Sequence, residues 1–78
     1  MLIKEMIVDD NNMAFIPSIG TSYQLNSTAK DIVDLLKQGK SKEEIVKIIS
    51  QKYGVDYKEA YIDVQDFFQK LKIYGLIK

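Results

Sequence analysis

The sequence predicts an α+β fold in which a three-stranded antiparallel sheet is followed by three helices. Three observations carry that prediction. The first 25 residues hold short apolar runs separated by polar turns, the apolar residues recur at helical spacing from Ala29 onward, and a capping signal stands before each helix.

The first strand is read over Leu2 to Val8, rich in Ile, Leu, Met and Val, and it ends at the cluster DDNN, Asp9 to Asn12. Asp and Asn tolerate left-handed backbone and bond to their own main chain, so the cluster reads as a turn. A second strand covers Met13 to Pro17, with the proline at its end, where a missing N–H harms the ladder least. The tripeptide SIG then leads into a third strand, Thr21 to Leu25. Short runs joined by tight turns make a meander.

Helix 1 is expected over Ser27 to Gln38, capped by Asn26 or Ser27, with Ala29, Ile32, Val33 and Leu36 on one stripe and Gly39 at its end. Helix 2 opens on the capping box of Ser41 and Glu44, turns Ile45, Ile48 and Ile49 inward, and stops at Gly54. Asp56 and Glu59 repeat the device for helix 3, which runs to about Ile73 before Gly75. Ala60, Val64, Phe67 and Leu71 form its central stripe. Tyr57, Tyr61 and Phe68 widen one flank, and Asp63 and Tyr74 lie on the other, so the helix has more apolar width than one small core needs.

Residues 1–78 are read as a single domain, with 46% apolar and 28% charged residues, no repeat and no linker. Eleven lysines balance eleven acids, so no global field gathers phosphate or anionic lipid. The absence of cysteine fits a reducing, cytoplasmic setting, and the N-terminal apolar run is too short and too interrupted by Lys4 and Glu5 for a signal peptide or a membrane span.

With no His, Cys, Arg or Gly-rich phosphate loop, the chain lacks the usual groups of catalysis at neutral pH, and it is expected to be non-catalytic and to need no cofactor. The acids Glu59, Asp63 and Asp66 on helix 3 are read as a solvated face rather than a cation site, and DDNN lacks the glycine and terminal glutamate of a calcium loop.

Helices 2 and 3, joined by YGVD, have the cadence of a winged helix, which invites a DNA-binding reading. The polar face that would enter the major groove carries Glu59, Gln65 and Asp66 beside Lys58 and Lys72. Acids facing phosphates are repelled, and a neutral module without arginine lacks phosphate contacts. Neither nucleic acid nor membrane is the expected partner.

Leu25-Asn26, Thr28-Ala29, Ile32, Gly39, Ser41, Glu44-Ile45, Tyr53, Asp63-Val64, Phe67, Leu71 and Gly75-Leu76-Ile77 stand in an order and spacing that resembles the PqqD-like proteins. These are the small peptide chaperones of pyrroloquinoline quinone biosynthesis, related to the recognition elements that deliver ribosomally made precursor peptides to modifying enzymes. The resemblance covers nearly the whole chain. It implies a winged-helix-like fold that lays a leader peptide along the third strand, over a groove shared with helix 3, beside an enzyme such as a radical S-adenosylmethionine maturase, a protease or a cyclase. Without arginine, recognition of an acidic leader residue falls to Lys70 or Lys72.

Physical reasoning meets the resemblance at the third strand. In a meander it is a sheet edge, and edges are usually guarded by Lys, Pro or a bulge, none of which occurs in Thr21, Ser22, Tyr23, Gln24 and Leu25. An extended peptide can add there as a further strand. Tyr23 and Leu25 are expected in the core, leaving the backbone with Ser22 and Gln24 as contact surface. On helix 3 the expected contributors are Tyr61, Asp63, Val64, Phe67, Phe68, Lys70 and Leu71, drawn from both flanks because the sequence does not say which one faces the strand. Asp63 is read either as a partner within the fold or as a group that orients the peptide.

The function expected is therefore a non-catalytic adaptor that binds a precursor's leader and presents it to a separate enzyme. A winged-helix DNA-binding regulator and a self-associating structural module are the alternatives, and the chain is expected to be a monomer or weak homodimer.

Overall fold

Ile3 and Met6 decide how the chain begins. The structure, a computed structural model, describes residues 1–78, and in it the expected first strand is mostly a 3₁₀ helix, Leu2–Glu5. Residues three apart eclipse one another in a 3₁₀ turn, and this spacing drives both Ile3 and Met6 into the core, where they are essentially inaccessible. Only Ile7–Val8 remain as strand β1.

Strands β2 (Met13–Ile16) and β3 (Thr21–Gln24) complete an antiparallel sheet in the order β1-β2-β3. Asp9 makes the first turn: its Oδ1 accepts from the N–H groups of Asn11 and Met13, both at 2.9 Å, while Asn12 takes a positive φ of 60°. The register pairs Ala14 with Tyr23 and Phe15 with Ser22. Ala14 and Ile16 face inward and are buried; Met13 and Phe15 face out.

Three helices follow: α1 (Ser27–Lys37), α2 (Lys42–Tyr53) and α3 (Tyr57–Ile73). Asn26 is the cap of α1, accepting the Ala29 N–H at 2.8 Å. Ser41 and Glu44 form the reciprocal capping box expected for α2. Asp56 accepts from Glu59 N–H at 2.8 Å to cap α3, but Glu59 returns no bond, so the second box is half made.

The core has two parts. One joins the 3₁₀ helix, β2, Leu25, Ala29, Val33, Leu71 and Leu76; the other joins Ile32 with α2 and the first half of α3 through Ile45, Val46, Ile49, Ala60 and Val64. Leu36 and Phe67 pack against both. Val46, absent from the expected inner face of α2, is fully buried and Ile48 only half so, because α2 packs against both α1 and α3 and its buried arc is turned toward them. No helix is long and apolar enough to cross a membrane.

The end of α3 completes the first core. Gly75 takes a φ of 76°, a conformation strained for any residue with a side chain. That turn sends the Gly75 N–H to the Lys72 carbonyl and the Leu76 N–H to the Leu71 carbonyl, a Schellman closure with Leu71 and Leu76 in the same apolar cluster. The Leu76 carbonyl then accepts the Ile3 N–H at 3.1 Å, which ties the two ends of the chain together.

Candidate functional site

The free edge of β3 follows from one hydrogen bond. Leu25 N–H donates to the Asn12 carbonyl at 2.9 Å, and in an antiparallel ladder the bonded pairs alternate. With Ala14 opposite Tyr23 and Ile16 opposite Thr21, Thr21 and Tyr23 turn their main-chain groups toward β2. Ser22 and Gln24 therefore turn theirs away from the sheet. No other segment takes up those groups: β3 is last in the strand order, and none of the turn, loop and side-chain hydrogen bonds reaches the main chain of either residue.

Beside this edge lies an open groove of about 420 Å³. Ser22, Tyr23, Gln24 and Leu25 form one wall with Asn26 and Ala29; Phe67, Lys70 and Leu71 of α3, with its C-cap Tyr74, form the other; the buried Met6 and Leu76 complete the lining. The two walls touch where the rings of Tyr23 and Tyr74 stack. Lys70 stands in the groove with no ion-pair partner, whereas Lys72 is outside it.

The helix flank that faces the strand is thus the one bearing Phe67 and Tyr74. Of the residues expected from sequence, Ser22, Tyr23, Gln24, Leu25, Phe67, Lys70 and Leu71 come together here. Thr21 begins the same strand but does not line the groove. Tyr61, Val64 and Phe68 are placed elsewhere. Val64 is fully buried in the second core, Phe68 packs against that core, and Tyr61 turns toward α2, where Lys42 Nζ lies 4.9 Å from its ring centroid. At 100° per residue, Tyr61 and Phe68 stand at least 100° around the helix from Phe67, on the side away from Tyr74. Asp63 lies in an adjoining hollow.

Tyr74, Asn26 and Ala29 line the groove without having been expected to. Tyr74 carried a signal, since it falls seven residues after Phe67 and three after Leu71, on one helical stripe. The titrating groups held away from their ordinary values lie outside the groove. In Glu44, the Ser41 N–H and hydroxyl hold the carboxyl below its usual value, and the others form a clasp between α1 and α2 around Asp31. No group of three acidic side chains is arranged to hold a metal ion.

Residues 6–77 match the family described as coenzyme PQQ synthesis protein D (PqqD). The chain belongs to the PqqD family. Comparison with curated protein sequences gives no match. Among solved structures, this PqqD-family chain is similar to lasso peptide synthetase B1 complexed with the leader peptide, at a TM-score of 0.77 and 28% identity, over 91% of this chain and 87% of that one. In this chain the sheet precedes the helices, and the groove lies between the last strand and the last helix.

Proposed function

We propose that this PqqD-family protein is a non-catalytic adaptor that binds the leader of a ribosomally made precursor peptide by strand addition to β3 and presents it to a separate modifying enzyme, such as a radical S-adenosylmethionine maturase, a protease or a cyclase. The observation that carries this reading is the unpaired main chain of Ser22 and Gln24 beside an apolar groove. Two residues offer two donors and two acceptors, and a guest strand that satisfies them gains about 1 kcal/mol net per hydrogen bond irrespective of its sequence. Selectivity then comes from side chains that alternate into the groove between Tyr23, Phe67, Leu71 and Tyr74. The similarity to a synthetase subunit solved with a leader peptide supports the same use of the fold here. A chain without His, Cys or Arg leaves the chemistry to the partner enzyme.

The test is a titration of isotope-labelled protein with synthetic leaders of precursor peptides encoded beside its gene. Saturable amide shifts at Ser22 to Leu25 and at Phe67 to Tyr74 are expected. Silent Ser22 to Leu25 amides, with shifts spread over α2, would overturn the reading.

A further inference from the structure

A second hollow of about 310 Å³ continues the groove past Asn26 and Ala29 into the seam between α1 and α3, and Phe67 and Lys70 border both spaces. The two spaces differ in charge. Most of the first is aromatic and aliphatic, with Lys70 its one charged side chain, whereas the second is flanked by Asp63 and Asp66, three residues apart on α3 and therefore neighbours on its surface. The fold gives neither carboxylate a cation. Its two ion pairs are Lys30 with Asp34 and Lys52 with Asp31, and Lys70 stands one turn beyond Asp66 without pairing to it. Lys70 on the same lining offsets one of the two carboxylates, so in a chain of zero net charge this stretch of the channel keeps one net negative charge.

We infer that the peptide held on β3 is read in two parts, by an apolar side chain in the first space and by a lysine or arginine whose stem lies along Phe67 and whose head meets Asp63 and Asp66 in the second. The inference rests on the adaptor reading and adds the chemistry of the guest. A long basic side chain suits a hollow with an apolar wall and a charged rim, because its methylenes bury while its head stays at the carboxylates.

Helix geometry sets the spacing. Leu71 lies five residues from Asp66 and eight from Asp63, roughly 7 to 12 Å along the axis at 1.5 Å per residue. An extended guest advances about 3.3 Å per residue, so its basic residue falls about two to four positions from its apolar one. β3 runs toward Asn26 and the acidic hollow; for a guest running antiparallel to it, the basic residue comes first.

The test is selection of a displayed library of random short peptides on the intact protein. Enriched peptides are expected to carry Lys or Arg at that spacing before an aliphatic or aromatic residue. As synthetic peptides they should bind the Asp63→Asn, Asp66→Asn double variant about 3- to 10-fold more weakly at low salt. Replacing their basic residue by Gln should cost the same factor against the wild type and nothing against the double variant. The Asp63→Lys, Asp66→Lys double variant should in turn prefer peptides with Glu at that position, which separates charge recognition from damage to the fold. Enriched peptides that lose binding on Gln24→Pro yet show no basic preference would overturn this inference and leave the adaptor standing. If no enriched peptide depends on the β3 edge, the adaptor reading fails with it.

Discussion

The ring of Tyr23 lies against that of Tyr74, with centroids 4.9 Å apart and planes inclined by 26°. The stack joins an edge strand to the C-cap of α3 across residues 51 positions apart in sequence, and both rings line the groove. Tyr74 is half exposed even so, so it serves both as a strut and as a surface on which a guest side chain can lie.

Replacing Tyr74 by Ala should therefore lower stability and guest affinity together. A stacked aromatic pair contributes about 0.5 to 1.5 kcal/mol beyond its buried area, and urea unfolding of Tyr74→Ala should show a loss of that order. Tyr74→Phe keeps the ring and should match the wild type in both measurements. A Phe variant as weak as the Ala variant would show that the hydroxyl, not the stack, is what matters.

Proline separates the two sides of β3. Gln24→Pro removes an N–H that points away from the sheet, so the ladder to β2 survives and the protein should stay folded by circular dichroism. Guest binding should fall by about tenfold or more from the lost hydrogen bond and the ring's bulk at the edge. Tyr23→Pro removes an N–H that faces β2 and strips the stack, and it should unfold the sheet. Equal stability of the two variants would refute the register on which the open edge depends.

The strand-to-helix order, the caps at Asn26, Ser41 and Asp56, and the unguarded edge were legible because each is a local signal: a residue type at a fixed distance from an apolar run. The start of the chain was not. Leu2 to Val8 satisfies strand composition, and only the burial of Ile3 and Met6 under β2 and α1 selects a 3₁₀ turn. Half of the candidate site was likewise hidden. Periodicity places Phe67, Phe68 and Tyr61 around α3 but does not say which neighbour each flank meets. That choice is made by the packing of α2 on α3, which takes up Val64 and Phe68 and leaves Phe67 and Tyr74 to face β3.

Leu76 shows how much of a small fold hangs on its last turn. It is fully buried, and its N–H and carbonyl bond Leu71 and Ile3. Truncation to Ala should cost about 2 to 5 kcal/mol, a large part of the roughly 5 to 15 kcal/mol available to a domain. Chemical denaturation should show the loss, with the N-terminal segment exchanging its amide protons faster than α2. A variant within about 0.5 kcal/mol of the wild type, as exposed substitutions usually are, would mean that the C-terminal turn does not hold the first core.

The clasp between α1 and α2 gives the protein a stability that depends on pH at both ends of the scale. Tyr53 hydroxyl donates to Asp31, and Lys52 Nζ lies 2.9 Å from the same carboxylate. Partial burial alone would raise the Asp31 pKa, but the hydrogen bonds from Tyr53 and Lys52 outweigh it and hold it below the ordinary 3.8. A carboxyl depressed on folding contributes stability that is complete above its unfolded value and is lost as pH falls through the folded one. Hydrogen bonding to Asp31 raises Lys52 above 10.5 and Tyr53 above 10.0. Groups raised on folding contribute stability that is complete below their unfolded values and is lost as pH climbs through the folded ones. Asp31→Asn should therefore melt below the wild type between about pH 4 and pH 10, where all three contributions are present. The gap between the two melting temperatures should close on acidification below that window and on alkalinisation above it, and it should narrow in high salt because the cluster is largely exposed. A gap that stays constant from acid to alkali would show that the clasp is held by packing alone.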